Sequence, residues 1–341
     1  MRAKSYLVMA LLAAIACFST VSQSAAQQPI TLTYSVFFPA THVQSKLAEA
    51  WSQEVEKRTN GKVKVEVYAG GTLTKGPQVY DGVVSGISDI GFSVLGYTLG
   101  RFPLMEVVDL PLGYRNGVEA TAVANAVYEK FKDQVLTDTE VMYLHAHGPG
   151  LLHTKGKVVK KLEDLKGLKI RGHGTSSRVV EALGATPVAK AMGETYQILE
   201  KNVVDGSVHP IEANKGWKLV EVIDAVTLDF SAAYTTTFFV VMNKDKWKAL
   251  PDDVKNVIRE INKEWIPKHA AAWDESDKEG YELLKERKKE IVELDPQESA
   301  RWEQAVKKVL TSFSEDMTKK NLPGKEALDL AIKTLEDARK K

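Results

Sequence analysis

Apolar and polar residues alternate along residues 30–37 (ITLTYSVF), and this two-residue period predicts a half-buried strand. Residues 39–61 follow with apolar side chains at every fourth position, which is typical of an amphipathic helix. Thr41 and Gln44 have the spacing of a capping box at its start, and Gly61 follows its end. The chain is therefore predicted to open with a strand and a capped helix.

Two more strands are predicted at residues 62–68 (KVKVEVY) and 89–94 (DIGFSV), with a short helix at 77–85 between them. Strands that alternate with helices in this way indicate a parallel sheet. A further helix at 118–131 then leads to the strand VMYLHAH at 141–147. These elements make up a first predicted α/β unit.

The pattern of strands and helices begins again after Lys157, which predicts a second α/β unit. Its elements are a strand at 168–172, a helix at 175–184, a strand at 186–188 and a helix at 193–202. The strand-like run TTTFFVVMN (235–243) is expected to return the chain to the first sheet, and everything after Leu250 has a helical pattern.

We therefore predict an α/β fold of two lobes around a cleft, each lobe a mixed or parallel sheet flanked by helices, with long C-terminal helices. Lobe 1 is expected to comprise residues 27–150 plus about 237–278, and lobe 2 residues 151–236 plus about 279–341. Ligands of such folds bind beyond the carboxyl ends of the strands. The residues that follow the strands are therefore the candidate site residues.

The formal charge excludes one class of partner. The chain has 46 Lys and Arg against 45 Asp and Glu, which gives +1, and no basic run offers nucleic acid an electrostatic footprint. We expect a monomer that does not bind nucleic acid.

The N-terminus has the features of a secretory signal peptide, which we place at residues 1–26. Arg2 and Lys4 precede an apolar stretch that is too short to span a bilayer stably, and small residues favour a cut after Ala26. Cys17, the only cysteine, lies in this segment, and its surroundings resemble a lipoprotein cleavage box only loosely. We expect a periplasmic protein without disulfides, with a lipid anchor at Cys17 as the less favoured alternative.

Three histidines in one stretch, His145, His147 and His153, raise the possibility of a metal site. In a strand the first two point to the same face, but the third follows a glycine-proline turn with no recognised ligand spacing. Neither a G-x-S-x-G motif nor a phosphate-binding G-x-x-x-x-G-K-S/T loop is present. A secreted metal-dependent hydrolase or lyase is the enzyme alternative.

Arg171 ends a predicted strand and precedes Gly172 and Gly174, so it can face a cleft with little steric obstruction. A guanidinium binds a carboxylate through two parallel hydrogen bonds. The alternative is a structural salt bridge to a residue such as Glu163 or Glu212, and the spacing leaves both open. Aromatic residues near strand ends could form either core or pocket walls; they are Phe37, Phe38, Tyr97, Trp217, Tyr234 and Phe238.

Several stretches together resemble one family, the DctP-like solute-binding proteins of tripartite ATP-independent periplasmic (TRAP) transporters. They are GKVKVEVYAGGTL, SDIGF, GRFPLMEVVDLPLGY, DLKGLKIRG, LGATPVAKAMGETYQILEKNVVDG and KALPDDVK, in this order. The resemblance implies a two-lobed periplasmic-binding-protein fold of the Venus-flytrap kind that closes on an organic acid. It also implies no catalysis, no cofactor, and delivery to the small and large membrane components of the permease.

The resemblance also assigns roles to single residues. The arginine of KGLKIRG is the family's carboxylate clamp, which is Arg171 here. The sugar-acid binders of the family carry an asparagine where this chain has His209, and a second arginine where it has Leu151. They carry an acidic residue at Val94 and an aromatic one near Met192.

These departures predict an apolar pocket around a single charge, because a second carboxylate would lose water without gaining partners. We therefore favour a monocarboxylate with an apolar or aromatic body, stacked on Trp217 or Phe38, and include 2-oxo and 2-hydroxy acids that could meet His209. A C4-dicarboxylate or sugar acid is the alternative, and it needs a second cation, either a protonated His209 or Lys190. A sensory rather than a transport role stays open.

Overall fold

The structure is a computed structural model that describes residues 28–340. The expected signal peptide, its cut after Ala26 and Cys17 lie outside the described residues. Within residues 28–340, no helix combines the length and the apolar character needed to cross a membrane.

The chain forms eleven strands within the described part. They are β1 (Ile30–Val36), β2 (Val63–Tyr68), β3 (Ile90–Val94), β4 (Thr139–Ala146), β5 (Gly150–Thr154), β6 (Lys169–Gly172), β7 (Thr186–Ala189), β8 (Gly206–Pro210), β9 (Ala225–Leu228), β10 (Thr237–Asn243) and β11 (Glu290–Glu293). They build one sheet of order β2-β1-β3-β10-β4 and a second of order β11-β9-β5-β8-β6-β7.

The first sheet confirms two of the predictions and extends them. Strand β1 pairs with β2 and β3 in parallel, as the opening pattern indicates. Strand β10 returns to this sheet and lies antiparallel between β3 and β4, so the sheet is mixed. Register places Phe238 of β10 opposite both Val94 and His145. Directly opposite residues share a face, so these three side chains lie on the same side of the sheet.

Ten α-helices flank the sheets within the described residues. They are α1 (Val43–Arg58), α2 (Val79–Val84), α3 (Gly117–Phe131), α4 (Thr175–Ala182), α5 (Thr195–Glu200), α6 (Ala213–Gly216), α7 (Lys244–Ala249), α8 (Asp252–Glu286), α9 (Pro296–Lys319) and α10 (Gly324–Ala338). The α/β fold with long C-terminal helices is confirmed.

The predicted capping box at Thr41 and Gln44 is wrong. Helix α1 is capped by His42, whose Nδ1 accepts the backbone N–H of Gln44 at 3.2 Å. An imidazole nitrogen can accept this bond as a side-chain oxygen does. The cap therefore lies one residue later than predicted.

The all-helical prediction after Leu250 is also wrong at one place. Residues Glu290–Glu293 form β11, which pairs in parallel with β9 at the edge of the second sheet. Of these four residues only Val292 has a buried side chain, and the strand lies in a charged stretch of sequence. A strand this short shows no alternation of apolar and polar residues that could be recognised from the sequence.

The last two helices contact different parts of the molecule. Helix α9 packs on α4 beside the second sheet, and α10 packs on α3 beside the first. Lys130 of α3 pairs with Glu326 of α10 at 2.8 Å. The assignment of residues 279–341 to lobe 2 stays a prediction. Helix α10 belongs to this range, but its main contact is with α3, which lies within the residues predicted for lobe 1.

Candidate ligand-binding site

A small cavity lies between the two sheets, and side chains from both line it. The lining residues are Phe37, Phe38, Val94, Tyr97, His147, Arg171, His173, Met192, Val208, His209, Pro210, Glu212, Trp217, Tyr234, Thr236, Phe238 and Trp273.

Arg171 is the only lysine or arginine among these lining residues. It lies on β6 opposite Ser207 of β8 and is 1% exposed. Its Nε–H donates to the backbone carbonyl of Lys190 at 2.8 Å, and its Nη2 has no hydrogen-bond partner among the described residues. Burial lowers the pKa of the guanidinium, which the nearby Tyr97 hydroxyl partly offsets. An arginine stays charged under such shifts, so a buried cation faces the cavity.

The salt-bridge alternative for Arg171 finds no support in the contacts. Glu163 pairs with Arg301 instead, and Glu212 pairs with His42 at 3.0 Å. Among the ion pairs of residues 28–340, none includes Arg171.

His209 stands on β8, next to the strand that carries Arg171. Its Nδ1 lies 3.1 Å from Ser207 Oγ, and its ring stacks on His153 with centroids 3.7 Å apart. Its Nε2 is buried and has no partner in the described part of the chain. Burial, and then the charges of His153 and Arg171, hold the pKa of His209 well below its usual value. The ring is therefore neutral at pH 7, and it offers one N–H.

Aromatic rings form the walls around these two groups. Phe37 and Phe38 follow β1 with ring centroids 4.1 Å apart, and Phe37 stacks on Trp217 at 6.0 Å. Phe238 stacks on Trp273 at 5.0 Å. Such faces suit a flat apolar ligand body.

The remaining predicted site residues fall into two groups. Val94, Tyr97, Met192 and Tyr234 line the cavity, and the Tyr97 hydroxyl accepts the backbone N–H of Met192 at 2.8 Å. Leu151 does not line it: the leucine lies on β5, with β8 between it and the strand of Arg171. It pairs with His209 of β8 in the sheet and packs in a hydrophobic cluster instead.

Lys190 does not serve as a second cation in the cavity. Its ammonium pairs with Glu194 at 3.1 Å and is 45% exposed. Only its backbone carbonyl takes part in the site, by accepting the bond from Arg171.

Several lining residues are absent from the sequence-based set. Val208 and Pro210 lie within β8 and Thr236 precedes β10, whereas His147, His173 and Glu212 come one or two residues after a strand ends. The position after a strand is the available signal for the last three. Trp273 lies in the middle of α8, and nothing in a helical pattern distinguishes it from a core tryptophan.

The three histidines proposed as metal ligands do not converge. His145 Nδ1 accepts the indole N–H of Trp273 at 2.9 Å, and its ring stacks on His269. His147 Nδ1 bonds the Gly148 carbonyl, whereas His153 bonds Asn214 in the second sheet's layer. Within residues 28–340, no group of three or more His, Cys, Asp or Glu is placed to hold a metal ion.

Comparison with known proteins decides the family. A family model described as bacterial extracellular solute-binding protein, family 7 (DctP), matches residues 34–316. The chain belongs to this family. It is a DctP-like solute-binding protein of the TRAP type, which is a transport component and not an enzyme. The metal-dependent hydrolase alternative is therefore wrong.

Three relatives of this DctP-like protein bear on the ligand. A TRAP solute-binding protein from Rhodoferax ferrireducens, in complex with copurified benzoate, is 30% identical with a TM-score of 0.84 and covers 91% of this chain and 99% of its own. One from Bordetella bronchiseptica, with bound (R)- and (S)-mandelate, is 28% identical with a TM-score of 0.84 and the same coverage of 91% and 99%. The C4-dicarboxylate-binding periplasmic protein DctP of Rhodobacter capsulatus is 28% identical over 322 residues, 91% of this chain and 93% of the relative.

Members of this family bind small organic acids outside the cytoplasm and work with TRAP membrane components. This DctP-like chain therefore has the transport role that the family resemblance implies.

Proposed function

We propose that this DctP-like protein captures a monocarboxylate with an aromatic body and delivers it to the permease components of a TRAP transporter. The observation that carries the proposal is the buried guanidinium of Arg171, whose Nη2 has no hydrogen-bond partner among residues 28–340 and lies at an aromatic-walled cavity. Arg171 clamps the carboxylate, and the two lobes close over it. Closure excludes water, which strengthens the ion pair relative to an exposed one.

The charges around the cavity favour one carboxylate rather than two. Arg171 is the single lysine or arginine of the lining, and the Lys190 ammonium points to Glu194 instead. His209 is neutral because burial lowers its pKa. A second carboxylate would stay unpaired, at a cost of about 1–3 kcal/mol or more for each unmet hydrogen bond.

The walls favour an aromatic body. Phe37, Phe38, Trp217 and Phe238 present ring faces at the cavity. The Rhodoferax and Bordetella relatives hold benzoate and mandelate, which are aromatic monocarboxylates. Mandelate also carries a 2-hydroxyl, and in this chain the unpartnered Nε2 of His209 could bind such an oxygen or a 2-oxo group.

We also propose how the protein is processed, where it acts and which partners it has. Export through the signal peptide, with a cut after Ala26, places the mature chain in the periplasm. The small and large permease components are its partners. The C4-dicarboxylate name of the Rhodobacter relative supports the runner-up ligand class.

A thermal-shift panel on the purified protein separates these classes. Benzoate, 3-hydroxybenzoate and mandelate are compared with succinate, malate and a sugar acid at equal concentrations. A ligand that binds the folded state raises Tm according to its concentration relative to Kd. We expect shifts with the aromatic acids alone; a shift with succinate or the sugar acid and none with the aromatic acids would overturn the proposal.

A further inference from the structure

A buried hydrogen bond joins the two sheets' layers beside the cavity. His42 caps α1, which packs on the first sheet, and Glu212 follows β8 of the second sheet. His42 Nε2 lies 3.0 Å from Glu212 Oε2, and the two residues are 1% and 3% exposed. Glu212 lines the ligand cavity, whereas His42 is not among its lining residues.

The neighbouring hydrogen bonds determine which group donates in this pair and hold both partners in place. His42 Nδ1 accepts the N–H of Gln44, so the ring proton sits on Nε2 and is donated to the Glu212 carboxylate. The N–H of Glu212 in turn donates to Asp277 Oδ1 of α8 at 2.8 Å. A hydrogen bond to a carboxylate is stronger than one between neutral groups, and here both partners are held in place.

The pair is packed against the aromatic wall of the cavity. The His42 ring lies 4.4 Å from the Phe38 ring and 5.9 Å from the Trp217 ring, measured between centroids. Phe38 belongs to the first layer and Trp217 to the second, and their own rings are 5.7 Å apart. The bond therefore spans the junction between the two halves of the wall.

Gly216 shows how closely the backbone surrounds this pair. A Cβ at Gly216 would lie 2.6 Å from His42 Nε2 and 2.7 Å from Glu212 Oε2, distances that real Cβ atoms do not show. A side chain there would displace one partner from the other. The close approach thus requires glycine because of space, with no special backbone angle involved.

We propose that His42 and Glu212 form an interlobe latch that slows ligand release from the closed protein. The latch rests on the proposed function for its ligand, and it adds a residue, His42, that does not touch the ligand. Loss of the bond would leave Arg171 and the aromatic walls in place. It would make opening easier, so the dissociation rate should rise while the association rate changes little.

His42→Asn tests the latch without removing the helix cap. Asparagine is among the best N-cap residues, so α1 keeps its cap, but its side chain is too short to reach Glu212. With benzoate as the probe, stopped-flow displacement should show dissociation about tenfold faster than wild type, as expected for a lost hydrogen bond to a charged group. The association rate should stay within about threefold of wild type.

Gly216→Ala is the second test, because it disturbs the bond while leaving both partners present. Gly193→Ala is its matched control: Gly193 lies in the groove between the lobes, and a Cβ there meets nothing within 4 Å. We expect Gly216→Ala to release benzoate faster and Gly193→Ala to behave as wild type. Unchanged dissociation in both His42→Asn and Gly216→Ala would overturn the latch.

A distance measurement keeps the latch testable if benzoate is not the ligand. Cysteines at the exposed positions Thr72 and Gln197 place spin labels on the two layers, since Cys17 is the chain's only other cysteine and can be replaced. His42→Asn should shift the ligand-free distance distribution toward longer separations than in wild type. Failure of wild type to bind benzoate, 3-hydroxybenzoate and mandelate would reject the aromatic-acid proposal, whereas identical distributions in wild type and variant would reject the latch.

Discussion

Arg171 and His209 lie on the neighbouring strands β6 and β8, and each has a buried nitrogen without a hydrogen-bond partner at the same cavity. Among described residues these atoms are Arg171 Nη2 and His209 Nε2, and His173, directly after β6, brings a third unpartnered nitrogen, Nδ1, to the same lining. A carboxylate bound between Arg171 and His209 would satisfy both groups when the His209 ring proton is on Nε2. Buried polar groups of folded proteins are nearly always bonded, so this pair indicates what the ligand supplies.

His209→Leu should reduce benzoate affinity about tenfold, since one hydrogen bond to the carboxylate is lost. Mandelate affinity should fall further if His209 also binds the 2-hydroxyl oxygen. Titration calorimetry measures both, with Tm as the check that the variant is folded. Equal affinity of variant and wild type for both acids would show that His209 is a core residue stacked on His153.

Leu151→Ala should destabilise the protein by about 2–5 kcal/mol, because it opens a cavity in a packed cluster. Benzoate affinity should stay within about twofold of wild type, since Leu151 does not line the cavity. Urea unfolding and calorimetry on the same sample measure the two quantities. A tenfold loss of affinity without loss of stability would show that Leu151 takes part in ligand binding.

Trp217→Ala should lower the preference for aromatic acids. Trp217 stacks on Phe37 at the cavity, and its removal should weaken benzoate binding about tenfold relative to acetate. Phe230→Ala is a matched control, because Phe230 is an aromatic that is 43% exposed and does not line the cavity. Equal losses for benzoate and acetate would show that Trp217 shapes the pocket without stacking on the ligand.

Stability should fall steeply as the pH drops below about 6.5, the usual histidine pKa. Burial lowers the pKa of His153 and His269 to about 3 and that of His147 to about 4. Between these values and 6.5 the unfolded chain binds more protons than the folded one, so acid favours unfolding. Each such histidine contributes a slope of about 1.4 kcal/mol per pH unit.

His269→Gln tests this slope. Between pH 6 and pH 5 its free energy of unfolding should fall less steeply than that of wild type, by about 1.4 kcal/mol per pH unit. Above pH 7 the two pH profiles should run parallel. Urea unfolding at several pH values measures the slopes, and identical slopes below pH 6 would contradict the assigned pKa of His269.

The sequence contains enough information to predict the α/β architecture and several of the residues that line the cavity. Arg171 stands out because it is the next-to-last residue of the short strand β6 and is followed by Gly172 and Gly174. Phe37, Phe38 and Tyr97 come just after strands β1 and β3. Side chains in such positions meet at one edge of a sheet whatever the details of packing. Local patterns are sufficient for residues of this kind.

Other features depend on tertiary contacts that leave no local trace. Trp273 reaches the cavity from the middle of α8, and β11 is defined by its pairing with β9. The family resemblance assigns Leu151 to the site, but the side chain packs in a hydrophobic cluster of the second layer. The His42 bond to Glu212 joins residues 170 positions apart, and sequence spacing contains no signal for it.

Titration calorimetry of benzoate against wild type and Arg171→Lys tests the central claim most directly. Lysine keeps the positive charge but lacks the planar fork that holds a carboxylate through two bonds. The account predicts measurable binding to wild type and a loss of at least about a hundredfold in Arg171→Lys, with the fold intact by circular dichroism. Benzoate binding of equal affinity in the two proteins would contradict it.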